Sequence, residues 1–139
     1  MIDAAQQKIE EGRAARNAGD LAGGLRGYEA AVVLLREMDA PLRLAHTVRH
    51  VADMQREACA MGPAKKNYAE ALSLYRENPA TGRLDLANTL RGYALMMEAL
   101  GDRATARAMW AEAGELYHAV GVQAGIEEAA RRVERLRQS

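Results

Sequence analysis

The stretch LDLANTLRGYALMMEALGDRATARAMWAEAGELYHAVGV, Leu84–Val122, reads as two amphipathic helices folded back on each other. In its first half Leu86, Leu90, Tyr93, Ala94, Met97 and Leu100 recur at steps of three and four, which sets them on one face of a 3.6-residue helix. In its second half Ala106, Met109, Trp110, Ala113, Leu116, Tyr117 and Val120 do the same. Between the halves, Gly101 can take the left-handed conformation that ends a helix, and Asp102 offers a side-chain oxygen to cap the next one. The expected unit is an antiparallel helical hairpin.

That unit recurs. Laying Leu44 on Leu86 brings LAHTVRHVADM onto LANTLRGYALM, with Leu, Ala, Thr, Arg, Ala and Met coinciding. The same shift sets Ala64, Tyr68, Glu70, Ala71, Leu74 and Tyr75 on Ala106, Trp110, Glu112, Ala113, Leu116 and Tyr117. Laying Gly19 on Gly101 also matches Asp20, Tyr28 and Ala31 to Asp102, Trp110 and Ala113. Three copies of one hairpin at a fixed period signal a solenoid, in which each copy hides its apolar side against the next.

The copies resemble the tetratricopeptide repeat, whose pattern W-x2-L-G-x2-Y…A-x3-F…P finds its slots at Leu90, Tyr93, Ala94, Met97, Ala106 and Trp110. The second copy fills them with Val48, Val51, Ala52, Gln55, Ala64 and Tyr68, and the first supplies Gly12, Gly24 and Tyr28. Small residues at Gly12, Ala52, Ala94, Gly24, Ala64 and Ala106 let backbones approach; Tyr28, Tyr68 and Trp110 fill the space beside them. His118 stands where the family closes with Pro, and the repeat spacing is wider than the usual value of about 34. In that respect the chain looks like the extended repeats of kinesin light chains and related bacterial proteins. The resemblance implies an all-α right-handed superhelix of three hairpins and a C-terminal capping helix, about seven helices in all. Repeat 1 is expected near 2–38, repeat 2 near 41–78, repeat 3 near 83–121 and the cap near 123–137, within a single domain over 1–139.

Composition narrows the function classes. The 139 residues are 49% apolar without a single Phe, and Ala and Leu favour helices intrinsically. Nineteen basic and nineteen acidic side chains cancel, which leaves no overall field to draw nucleic acid or an anionic membrane, so neither is an expected partner. A lone Cys59 has no internal disulfide partner, and MIDAAQQKIEEG lacks the apolar core of a signal peptide. A cytoplasmic location is the expectation.

In chain order, a thinly apolar first helix runs from Ile2 to Ala18 with Ala5, Ile9 and Gly12 on its stripe; Lys8 and Glu11 occupy slots that hold carbon in the third copy. A helix from Asp20 to about Met38 buries Leu21, Leu25, Tyr28, Val32 and Leu35. Pro41 opens the second copy, whose first helix is expected to reach about Met61 because Gly62-Pro63 replaces the Gly-Asp punctuation and delays the turn. Asn78-Pro79 stops the following helix, making 78–82 the expected mobile loop. A final stripe of Ile126, Ala129, Ala130, Val133 and Leu136, backed by Arg131, Arg132, Glu134 and Arg135, covers the end of the third copy.

The resemblance also implies that the first helix of each hairpin lines a concave face. Its outward positions carry Gln6, Ile9, Arg13 and Arg16, then His46, Arg49, His50, Asp53 and Arg56, then Asn88, Arg91, Leu95 and Glu98. Guanidinium forks in a concavity suit carboxylates, so an acidic peptide segment or chain terminus is the expected ligand, with Arg49 and Arg91 central at equivalent sites. Family members that hold peptide backbone do so with Asn along this helix; the matching positions here are His50 and Gly92. A non-enzymatic scaffold for another protein is the leading reading. Self-association as a homodimer is the second, and metal or small-ligand binding through His46 and His50 the third. With Asp53 one turn on, the spacing could ligate a metal, but the last reading is opposed by the neighbouring Arg49 and by the lack of a Cys or third His nearby in sequence. No cofactor or catalytic group is expected: Cys59 reads as a space filler, His118 as a helix-dipole partner, Met54, Met96, Met97 and Met109 as core, and Gly23-Gly24 as close packing.

Overall fold

The computed structural model describes residues 1–78 and 80–138, and seven α-helices and no strand occur among them. Helices α1 (Ala4–Asn17) and α2 (Leu21–Arg36) form the first hairpin, α3 (Pro41–Glu57) and α4 (Met61–Glu77) the second, and α5 (Arg83–Ala99) and α6 (Arg103–Val120) the third; α7 (Gln123–Arg137) follows alone. The expected all-α class and helix number are found. Two compact units arise, Met1–Leu74 and Tyr75–Ser139, with the division falling inside α4. The stop expected of Pro79 lies outside the described residues. Beside it the Thr81 hydroxyl donates to the carbonyls of Tyr75 (2.6 Å) and Asn78 (2.7 Å).

The turn inside each hairpin is built the same way three times. Gly19, Cys59 and Gly101 all adopt positive φ (88°, 61° and 83°). The next amide in each case reaches back to a carbonyl of the previous helix: Asp20 to Ala15, Ala60 to Gln55, and Asp102 to Met97, at 2.8–2.9 Å. This corrects the sequence reading of the second turn. Gly62-Pro63 does not delay it; both residues lie in the first turn of α4, where a missing N–H costs no helical bond. Cys59 is not a space filler but an exposed residue doing what glycine does in the other copies. A left-handed residue with a Cβ carries about 1–2 kcal/mol of strain, part of which glycine returns as unfolded-chain entropy. Cys59→Gly is therefore expected to stabilise the protein by up to about 1 kcal/mol, read as a raised urea midpoint at unchanged slope. Asp20 and Asp102 cap α2 and α6 as expected, accepting from Gly23 (2.8 Å) and Thr105 (3.2 Å).

In the first unit α1 and α2 cross where Gly12, Gly24 and Gly27 face each other, which brings the two backbones together. Ile9, Tyr28, Ala31, Val51 and Met54 form the cluster beside this crossing, and Val48, Ala52, Ala64, Tyr68 and Ala71 continue the buried set through α3 and α4. In the second unit Leu90, Ala94, Met96 and Met97 of α5 pack with Ala106, Trp110, Ala113 and Tyr117 of α6, and Ala129 and Leu136 of α7 close over them. Gly125 lets α7 lie on the Tyr117 ring: a Cβ there would come 2.4 Å from the ring's Cγ.

The expected apolar stripes hold in mid-helix and fail at the ends. Ile2, Leu21, Leu100 and Val120 are exposed, as is Ala130. Ile2 precedes the N-cap Asp3, Leu21 opens α2, Leu100 caps α5 and Val120 closes α6, so each overhangs the helix it was expected to meet.

Candidate functional site on the first helices

In the first unit α1 and α3 are tied at both ends. Asp3, whose own oxygen caps α1, also accepts a two-pronged bond from Arg43 (2.8 and 3.0 Å), and Arg16 reaches Glu57 at 3.0 Å. Arg43 and the Gln6 amide hold the Asp3 carboxyl down at about 2. Between these ties stand the residues projected from sequence: Arg13 and His46 exposed; Arg16, Arg49, His50, Asp53 and Arg56 partly buried. Ile9 is instead part of the core, at 9% exposure, and leaves the set.

Arg49 and Asp53 sit one turn apart on α3 and bond at 3.1 Å with little of either side chain exposed. The other Asp53 oxygen accepts from the Tyr68 hydroxyl on α4, which in turn accepts from Arg56 Nε at 3.0 Å. Burial and the Asp53 charge raise the Tyr68 pKa, so the phenol keeps its proton and remains the donor. Arg49 Nε is buried with no hydrogen-bond partner among the described residues. The arginine expected to lead ligand binding is thus largely engaged in holding α3.

His50 stacks on Tyr28 (5.6 Å between ring centres) and lies edge-on to His46 (4.6 Å). Arg49 Nη2 approaches His50 Nε2 at 3.5 Å, and an arginine can only donate; His50 Nε2 therefore accepts, and His46 Nε2, 3.2 Å away, supplies a proton to it. Burial, then the charges of Arg49, His46, Arg16 and Arg13, push the His50 pKa down to about 3 from the ordinary 6.5. Below pH 6.5 the unfolded chain takes up a proton that the folded one refuses, so this contribution to stability is complete above 6.5 and lost as pH falls towards 3. His50→Gln is expected to flatten that limb in urea titrations at pH 4–7, and the His50 ring should show no NMR titration between pH 5 and 7.

In the second unit the equivalent positions are differently engaged. Arg91 binds Glu128 of α7 through two bonds (2.6 and 3.2 Å), and Asn88 accepts from the Tyr117 hydroxyl at 2.7 Å. Together with Arg131 they line a depression of ≈ 460 Å³ between α5 and α7; the half-buried Leu95 is not part of it. Glu98 is turned away to accept from Trp110 Nε1 (2.6 Å), Arg132 (3.3 Å) and Arg135 (2.5 Å). Arg132 and Arg135, which back the apolar stripe of α7, reach across to Glu98 of α5, and Arg132 also lies 5.4 Å above the Trp110 ring.

Sequence reasoning missed the device common to both units: the polar tip of the large aromatic is received by a carboxylate of the preceding helix, Asp53 for Tyr68 and Glu98 for Trp110. Among the described residues no three His, Cys, Asp or Glu side chains stand close enough to hold a metal ion, and no helix is long and apolar enough to cross a membrane.

No family model matches the sequence, and no curated protein is significantly similar to it. Solved structures are similar. BtubC (BKLC) from P. vanneervenii aligns with a TM-score of 0.72 and 16% identity, covering 96% of this chain and 63% of that one. A tetratricopeptide repeat protein from Parabacteroides merdae ATCC 43184 aligns with a TM-score of 0.63 and 17% identity, covering 97% and 54%. The chain spans less than two thirds of the length of either.

Proposed function

We propose that this chain, whose fold is an all-α repeat of the tetratricopeptide type, is a non-catalytic protein-interaction module that receives an acidic peptide segment on the first helices of its first two hairpins, α1 and α3. The observation that carries the reading is the cationic surplus on α1 and α3. Arg13, Arg16 and Arg49 all bear on His50 with the same sign, while Asp53 and Glu57 answer two of them. Arg13 is exposed and makes no ion pair within the described residues. A carboxylate arriving there meets Arg13 on a backbone already held by the Asp3–Arg43 and Arg16–Glu57 ties, so side-chain but not helix ordering opposes its binding.

The weight therefore moves from Arg49 and Arg91 to Arg13 and Arg16. An acid approaching Arg91 has to displace Glu128 from a two-bond contact, whereas Arg16 makes a single bond to a half-exposed Glu57. Arg91→Ala should change stability by less than about 1 kcal/mol, as for other partly exposed pairs.

Fluorescence anisotropy with a labelled decapeptide of alternating Glu and Ser, against a Lys/Ser control, tests the reading. The acidic peptide is expected to bind more tightly, to weaken as salt rises, and to lose about tenfold in affinity, about 1.4 kcal/mol, in Arg13→Ala/Arg16→Ala. Arg26→Ala, on α2, should leave binding unchanged. Equal affinity for the two peptides would sink the proposal.

A further inference from the structure

On the second unit a groove of ≈ 570 Å³ lies between α6 and α7. Its lining is chemically specific when set beside the first unit. Ala111, Gly114 and His118 of α6 stand where the repeat puts Glu29, Val32 and Arg36 of α2, and Ala130, Val133 and Arg137 of α7 stand where it puts Val48, Val51 and Gln55 of α3. In the first unit that seat between α2 and α3 is taken by α4. Ala64, Tyr68 and Ala71 of α4 are fully buried, Glu70 holds Arg36 through two bonds (2.5 and 2.8 Å), and Asn67 donates to Gln55 at 2.8 Å. The six residues that line both seats become smaller at three places on passing to the second unit: Glu29 to Ala111, Val32 to Gly114 and Val48 to Ala130. α4 fills the first seat and leaves ≈ 240 Å³ open beside α2 and α3, whereas the α6/α7 seat stands open over ≈ 570 Å³.

We propose that the α6/α7 groove is a docking seat for an amphipathic helix of another protein, one that carries a small residue, an aromatic four positions later and an acidic residue two beyond that. The pattern is the one this chain uses for the same seat: Ala64, Tyr68 and Glu70 in α4, repeated as Ala106, Trp110 and Glu112 in α6. The small residue permits the close crossing, and the aromatic enters the space left by Gly114 and Ala130. The acid meets His118, at the position where Arg36 takes Glu70 and Arg76 takes Glu112 (2.8 and 2.9 Å). Arg137, in the place of Gln55, supplies a cation for an acidic or amide side chain one residue before the aromatic. A second copy of the chain is a poorer occupant, because its helices of this pattern are already buried in their own hairpins. This surface is separate from the α1/α3 face proposed above.

The test uses the full chain and a labelled peptide of residues 61–77, the helix that fills the corresponding seat. Saturable binding is expected, with peptide-induced NMR shifts confined to α6 and α7. Ala111→Arg/Ala130→Arg, which places bulky charge at two exposed positions in the groove, should weaken binding at least tenfold without changing the melt. A peptide bearing Glu70→Lys should bind the wild type several-fold more weakly. Binding that ignores the two arginines means the peptide has displaced α4 from its own site, and it overturns the proposal. Two further results overturn it: no saturation at millimolar peptide, or a dimer in sedimentation that the double variant dissolves, which gives the groove to a second copy.

Discussion

Trp110→Ala is expected to lower the unfolding free energy by about 3–5 kcal/mol, the range for truncating a large buried aromatic. The indole is fully buried at the meeting of α5, α6 and α7, and three interactions converge on it. Its Nε1 donates to Glu98, Arg132 covers its ring, and α5 packs its apolar residues alongside. The loss is dominated by the cavity, not by a stranded charge, since Glu98 keeps Arg132 and Arg135 after the indole is gone. Trp110→Phe separates the two contributions. It restores most of the volume and removes one hydrogen bond to a carboxylate that two arginines still hold, so it should cost about 1–2 kcal/mol. Urea unfolding is best followed by far-UV circular dichroism, because Trp110 is the chain's one tryptophan. A Trp110→Ala protein within 1 kcal/mol of wild type, or a Phe variant as unstable as the Ala one, would show that the ring is not the keystone of its unit.

The hairpins were legible because the signal is repeated: six identities recur between Leu44–Met54 and Leu86–Met96, and Gly-Asp marks two of three turns. The second hairpin's turn was misread because local rules ask for glycine at a left-handed position, and Cys59 occupies it under the constraint of the two helices it joins. The candidate face was legible in direction but not in pairing. Arg49–Asp53 lies within one helix at a spacing that can be read from sequence, whereas Arg16–Glu57 and Arg91–Glu128 join residues 41 and 37 apart on different helices. The acids that receive Tyr68 and Trp110 were hidden for a subtler reason. The repeat sets Asp53 against Leu95 and Glu98 against Arg56, so the two units place the same function one turn apart on the helix. Aligning the copies conceals the likeness that geometry reveals.

Gly27→Ala sets helix propensity directly against packing. In an exposed helix interior the change stabilises by about 0.8–1.0 kcal/mol, because glycine loses more conformational freedom on folding than alanine. Here the added Cβ would lie 2.6 Å from the Gly12 Cα, 2.8 Å from its nitrogen and 3.0 Å from the Lys8 carbonyl. All three are backbone atoms of α1, so no side-chain rotation relieves the clash and the helices have to move apart. Separation would also loosen Tyr28, which packs at 3.1 Å from where a Gly12 Cβ would sit. Overpacking of this kind costs about 1–3 kcal/mol and outweighs the propensity gain. Gly62→Ala supplies the control: it lies in the first turn of α4, has nothing within 4 Å of its would-be Cβ, and does not adopt positive φ. There the only opposition is local: Pro63 follows, and proline disfavours helical backbone in a preceding residue that carries a Cβ, so the net change should stay within about 0.5 kcal/mol. Gly27→Ala should therefore lower the urea midpoint well beyond any shift at Gly62. If Gly27→Ala moved it as little as Gly62→Ala does, α1 and α2 would have room between them, and the close glycine crossing that sets the first hairpin apart from the alanine-lined second and third would not exist.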